Sequence, residues 1–303
     1  NGTLQSYGDL KKVYKSLNSL EKLSLFTYDD GHGISKPKRE AAVQWFRKWF
    51  YNDDKPITEG IFETLTANDL FVTSSGKINT SYLDEISVAQ QNELLYEQKA
   101  ILRAQFAQQP IAERKKKIEI LLGIKPNIEK LEVENLGKVI GVDHGKLDRI
   151  KKRKKDEVPL PLRIYQPVAS PKRIIISLND NVQQRDSLIS NWQNTKSDAI
   201  LISVDLRGTG ETTDKPEMND PKYFSKDYRN AILALHIGKP LVGQRVKDIL
   251  NVLEFIKGDK NLQNLSININ ATGLVAIPAL HAVFLNSEIN TISFDQTIVS
   301  YHT

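Results

Sequence analysis

The sequence predicts an α/β protein: a mainly parallel sheet flanked by helices, with a leading antiparallel hairpin and a helical connector. Three observations carry this. Ile174-Ile175-Ile176 and Ile200-Leu201-Ile202 are continuous apolar runs, as strands covered on both faces require. Helical patterns at 184–194, 243–257 and 275–285 alternate with strand patterns at 173–178, 199–204, 265–270 and 291–295. Ahead of them, residues 130–135 and 138–143 read as the hairpin, followed by a strand over 160–166.

The earlier part of the chain reads differently. Residues 22–28 alternate through Leu23 and Leu25, predicting a strand. Asp29-Asp30-Gly31-His32-Gly33 then makes a turn, and Ser35 is placed to cap a helix beginning near Pro37. Its face of Ala42, Val43, Trp45, Phe46, Trp49 and Phe50 is broad enough to predict packing on a large core. Leu70 to Val72, before Ser74-Ser75-Gly76, suggests a short strand and turn. From Ser87 to Gly123 the pattern is helical, divided by Pro110 and closed before Pro126. Three segments result: 1–55, a strand, histidine loop and helix; 56–126, a largely helical connector; and 127–303, the α/β part.

The 303 residues carry a formal net charge of +5, 40% hydrophobic residues and no cysteine. A disulfide framework, thiolate metal sites and a cysteine nucleophile are thereby excluded. Five histidines without ligand spacing, and no HExxH, leave neither a metal site nor a cofactor expected. The longest uncharged apolar stretch, Ala271 to Phe284, falls short of the roughly 20 residues that span a bilayer. The chain begins at Asn1 without a signal-peptide pattern, and reads as a piece of a longer protein. Much of the positive charge sits in Lys151 to Lys155 and Arg114 to Lys117. Asp156 and Glu157 follow the first run and no aromatic residue interleaves with it, so a solvated loop or strand edge is preferred over a nucleic-acid site.

Three features could carry chemistry. Asp205-Leu206-Arg207-Gly208-Thr209-Gly210 follows a strand, but Thr213 stands where a dinucleotide fingerprint needs glycine, favouring a glycine-rich loop at the sheet's carboxyl edge. His32, between two glycines after the 22–28 strand, is either a loop histidine bonded locally or a general base. Ala271-Thr272-Gly273-Leu274-Val275 joins a strand to an apolar helix, the geometry of a nucleophile elbow, with glycine where G-x-S-x-G has serine. Thr272 is one residue away and points elsewhere on a tight turn.

Together these residues resemble the acetyl xylan esterase-like branch of the α/β hydrolases, in particular bacterial proteins with tandem hydrolase units. Asp30 to Ala42 with Trp45, Phe46 and Trp49 is similar to the stretch that closes such a unit, and Asp69 to Lys77 to the connector after it. Asp205 to Gly210, Leu241 to Leu250 and Ala279 to Ala282 look like the middle of a second, incomplete unit. The resemblance implies that His32 is the general base and that the nucleophile position is vacant at Gly273, with Asp295 a weak candidate for the acid. It further implies a secreted or periplasmic carbohydrate esterase that, when complete, deacylates plant polysaccharide by Ser-His-acid chemistry. This chain would be inactive by itself, with acylated polysaccharide or an adjacent hydrolase unit as its partners. The alternative is a non-catalytic unit that binds carbohydrate or supports a neighbour. A variant arrangement places the 22–28 strand in the sheet of 127–303.

Overall fold

The computed structural model describes residues 2–125, 131–139, 145–151, 158–167, 170–195, 197–215 and 227–298. It divides into two units, Asn1–Leu95 and Tyr96–Thr303.

The first unit contains α1 (Gly2–Ser16), α2 (Lys36–Tyr51), the short α3 (Ile78–Ser81) and the start of α4 (Val88–Gln98). None of its described residues is buried. Of residues 22–28, predicted as a strand, Lys22 closes a 3-10 turn and 23–28 pair with no described strand; every strand of the sheet lies between residues 132 and 295. Alternation marks a segment able to pair, but a strand also needs a neighbour. The strand expected at 70–72 is likewise a turn, fixed by Asp69, which accepts from Thr66 N at 2.9 Å and Thr66 Oγ1 at 2.6 Å. Such side-chain bonds offer the backbone an alternative to a ladder. Ser35 precedes α2 in extended conformation without capping it, and α2 buries none of its residues, against the core expected beneath it. Instead its rings pack along the helix itself, Trp45 on Trp49 at 5.9 Å and Phe46 on Phe50 at 5.7 Å, the i, i+4 spacing that brings helix neighbours together.

The second unit continues with α5 (Ala100–Gln108) and α6 (Ile111–Leu121), separated at Pro110 as expected. The sheet follows: β1 (Glu132–Lys138), β2 (Gly145–Lys151), β3 (Leu160–Tyr165), β4 (Arg173–Asn179), β5 (Ala199–Val204), β6 (Ser266–Thr272) and β7 (Ile289–Asp295). Its helices are α7 (Val182–Asn194), α8 (Tyr228–His236), α9 (Leu241–Gly258) and α10 (Ala276–Leu285). The strand order is β1-β2-β3-β5-β4-β6-β7, with β5, β4, β6 and β7 parallel and the pairings among β1, β2, β3 and β5 antiparallel. The sheet is therefore mixed, and its leading antiparallel part extends one strand beyond a hairpin. The second hairpin strand lies at 145–151 rather than 138–143, of which 140–143 fall outside the described residues, as do Lys130, Pro126 and Lys152 to Lys155.

One face of the sheet, through Ile174, Ile176, Leu178, Ile200, Ile202, Val204 and Ile269, packs against Val246, Ile249, Val252, Leu253 and Ile256 of α9 and Ala279 and Ala282 of α10. These side chains are essentially sealed from water, and each large aliphatic residue so buried contributes about 1.5–3 kcal/mol. The chain after α6 meets α9 at Gly243, where a Cβ would overlap the Leu122 carbonyl oxygen. The basic run Arg114 to Lys117 also works here: Arg114 lies over the Phe284 ring at 5.8 Å and Lys115 Nζ donates to the Leu285 carbonyl at 2.9 Å, so it anchors α6 at the end of α10. Cations suit a helix's C-terminal carbonyls.

Candidate functional site

The parallel strands bring four chain segments to one edge of the sheet. Register places Leu178 beside Val204, Asn179 beside Thr272, and Thr272 beside Asp295. The turns after β4, β5, β6 and β7 therefore share the carboxyl edge, where open α/β sheets form their ligand crevices.

The turn after β5 is built around buried charge. Asp205 accepts from Arg163 at 3.2 Å, from Arg185 at 3.0 and 3.1 Å, and from the Glu211 backbone N–H at 3.0 Å. Burial works against the Arg185 charge, but Asp205 and Asp186 outweigh it and raise the Arg185 pKa above its ordinary value. Next along the turn, Arg207 grips Asp248 of α9 through Nε at 2.9 Å, Nη2 at 2.5 Å and its own backbone N–H at 3.1 Å. Burial pushes the Asp248 carboxyl up, and the Arg207 guanidinium opposes that shift. Arg245 closes the set, bonding the Arg207 carbonyl at 3.0 Å and Asp227 at 2.8 Å. Gly210–Thr212 forms only a single 3-10 turn, so no helix N-terminus is offered to a pyrophosphate. The loop is held by its own ion pairs. Sequence reasoning missed Arg163, Arg185 and Asp248 because residues far apart in the chain meet only through the sheet.

The turn after β6 has an elbow's backbone. Strand β6 ends at Thr272, Gly273 takes φ +75, a 3-10 turn spans Gly273–Val275, and α10 follows. A side chain at Gly273 would project into a space already filled, because its Cβ would lie 2.5 Å from both carboxylate oxygens of Asp180. Asp180, on the turn after β4, accepts from the Leu274 backbone N–H at 2.8 Å. In an elbow the N–H following the nucleophile is an oxyanion donor. Here a carboxylate of the protein occupies it. Thr272 is buried within the strand end, and Asp295 is exposed at the end of β7.

His32 belongs to the first unit, on an exposed loop that Lys38 and Arg39 tie to α2. Lys38 pairs with Asp30 and donates to the Gly33 carbonyl at 3.3 Å. Arg39 reaches the Ile34 carbonyl at 2.6 Å and Glu59 at 2.5 and 2.6 Å. The Lys38 ammonium, then Ser35, hold the Asp30 carboxyl below its ordinary value. Within the second unit, His281 lies on α10, five residues after its start at Ala276. Burial pushes the His281 pKa down. Among the described residues no cluster of three His, Asp or Glu side chains is placed to hold a metal, and no helix is long and apolar enough to cross a membrane.

No family model matches the chain, and no curated protein matches it. Among solved structures it is similar to a candidate acetyl xylan esterase from Bacteroides fragilis, at 12% identity over 60% of this chain and 52% of that one, with a TM-score of 0.45. Acetyl xylan esterase 1 from Thermoanaerobacterium sp. matches at 9% identity over 60% and 56%, with a TM-score of 0.40. A glucuronoyl esterase from Solibacter usitatus matches at 14% over 59% and 56%, with a TM-score of 0.39. The chain spans little more than half the length of each. The chain's own sheet is mixed, with β5, β4, β6 and β7 parallel, β1, β2 and β3 antiparallel, and helices flanking it, an α/β architecture.

Proposed function

We propose that this chain is part of a carbohydrate-esterase-type α/β hydrolase and that its sheet is a degenerate, non-catalytic unit of that enzyme. In the complete protein the substrate is an acylated plant polysaccharide outside the cytoplasm, and catalysis is of the Ser-His-acid type. The reading rests on the turn after β6. Acyl transfer at such a turn needs a hydroxyl nucleophile and a donor for the developing oxyanion. Gly273 supplies no hydroxyl, and the Leu274 N–H is bonded to Asp180 at 2.8 Å. A carboxylate there would repel an oxyanion as well as displace it. The shape of the elbow persists while both of its chemical functions are lost. His32 keeps the role of general base only as the resemblance implies it.

The test is hydrolysis of a chromogenic acetate ester by the full chain. The expected rate equals that of buffer, and is the same for His32→Ala. A protein-dependent rate that disappears in His32→Ala would overturn the reading.

A further inference from the structure

Strand β6 lies inside the sheet, between β4 and β7, yet it is not the continuous apolar run that burial on both faces leaves in β5. It alternates, Ser266-Ile267-Asn268-Ile269-Asn270-Ala271-Thr272, and β7 carries the alternation on in register, with Thr291 beside Asn268 and Ser293 beside Asn270. Ile267, Ile269 and Ala271 are buried on the side that α9 and α10 cover. The other side is polar. Asn270, Thr291 and Ser293 are exposed there and Asn268 is half-buried, and among the described residues none of these four side chains has a hydrogen-bond partner. Where a helix does cover this side, the strands beneath it read differently: α7 sets Trp192 on Tyr165 at 5.9 Å, and the positions in register with Tyr165 are Leu201 and then Ile175.

The open part is bordered by polar groups as well. Helix α7 flanks it, tied to the chain after β7 by Gln184, which donates to Gln296 at 3.0 Å, and Leu188 and Asn191 follow Gln184 on the same helical face. On the inner margin, Ser177 and Asn179 of β4 pair in register with Asn270 and Thr272. Ser177 Oγ and Asn179 Nδ2 are buried and, among the described residues, have no partner.

We infer that this side of β6 and β7 stays open to water and binds a neutral, hydroxyl-rich chain, an oligosaccharide laid across the strands along Ser177, Asn270 and Ser293. Naming the ligand a carbohydrate rests on the function proposed above. The chemistry of the face selects it. A helix or other protein surface packed here would strip water from the amides and hydroxyls of Asn268, Asn270, Thr291 and Ser293 without returning partners. That argument lies in the residues of β6 and β7 themselves, so it holds however far the chain runs on. A polyanion such as a nucleic acid would meet no free cation: the next row of the face ends at Asp295, and Arg173, at the opposite end of β4, is paired with Asp198 at 3.2 Å. A sugar hydroxyl both donates and accepts, as an Asn amide and a Ser hydroxyl do. Strands about 4.8 Å apart set such partners in a row about 10 Å long, and Leu188 offers an apolar edge to the ring carbons.

The test is titration of the full chain with xylotetraose, followed by NMR. The side-chain amide signals of Asn268 and Asn270 shift saturably. Asn268→Ala/Asn270→Ala weakens binding by at least about tenfold, and Ser293→Ala by about threefold, with circular dichroism unchanged. Leu280→Ala, on the opposite side of the sheet, leaves the affinity as it was. Binding that is equally tight in Asn268→Ala/Asn270→Ala would overturn this surface while leaving a carbohydrate ligand in place. Absence of binding by the wild-type chain would overturn the inference, and the ester assay on the same sample then decides separately whether the unit is catalytically degenerate.

Discussion

Helices α2 and α9 are of similar length and each carries an apolar stripe, yet they end in opposite circumstances. Helix α9 seals Val246, Ile249, Val252, Leu253 and Ile256 against the sheet, whereas α2 seals nothing and stacks its rings along its own axis. Amphipathicity therefore states a demand for an opposing surface, and only the topology supplies one. In the second unit that surface is the continuous aliphatic face of β5, β4 and β6.

This contrast is best tested by breaking it. The largest effect is expected from Asp248→Ala, which leaves Arg207 without its carboxylate at a site where Asp248 is wholly buried. Removing one partner of a buried pair costs about 3–5 kcal/mol, read as a lowered denaturant midpoint. Ile202→Ala, in the centre of the sheet, should cost about 2–5 kcal/mol in the same measurement. Gly273→Ser forces a side chain onto a positive-φ position already faced by Asp180 and should cost about 1–3 kcal/mol without creating ester hydrolysis. Part of that cost should return in Gly273→Ser/Asp180→Ala. Phe50→Ala, at 73% exposure on α2, should change stability by less than about 0.5 kcal/mol. A loss as large as that of Ile202→Ala would show that α2 does have a buried face.

Acid sharpens the same contrast, with opposite signs. The folded pKa of Asp30 is lowered by Lys38, so its contribution is present above the unfolded value and is lost as pH falls through the folded one. The folded pKa of Asp248 is raised by burial, so its term favours the fold at low pH and fades as pH rises through the folded value. Carboxyl-carbon NMR titration should place the Asp30 midpoint below, and the Asp248 midpoint above, the ordinary aspartate value of 3.8. An Asp30 midpoint above that value would contradict its pairing with Lys38, and an Asp248 midpoint below it would mean that the Arg207 guanidinium outweighs burial.

How much of this was legible beforehand follows from which signals are local. Strands β4 and β5 are readable because burial leaves the aliphatic runs Ile174-Ile175-Ile176 and Ile200-Leu201-Ile202, and the split at Pro110 because proline breaks a helix by its own geometry. Residues 22–28 mislead because alternation cannot report whether a neighbour exists. Strand β2 was expected seven residues early because its own apolar residues, Leu147 and Ile150, are sparse. The elbow's backbone could be foreseen from Gly273 and the strand and helix around it. The carboxylate that fills it could not, since Asp180 lies 93 residues earlier and is delivered by the pairing of β4 with β6.

The contact between Leu122 and Gly243 carries its own consequence for reading other sequences. The backbone after α6 touches α9 so closely that position 243 has no room for even a methyl group. Any chain built on this plan but bearing a larger residue there must hold its preceding helix elsewhere. One position in α9 thus reports, from sequence alone, whether the segment ahead of the sheet is seated as it is here.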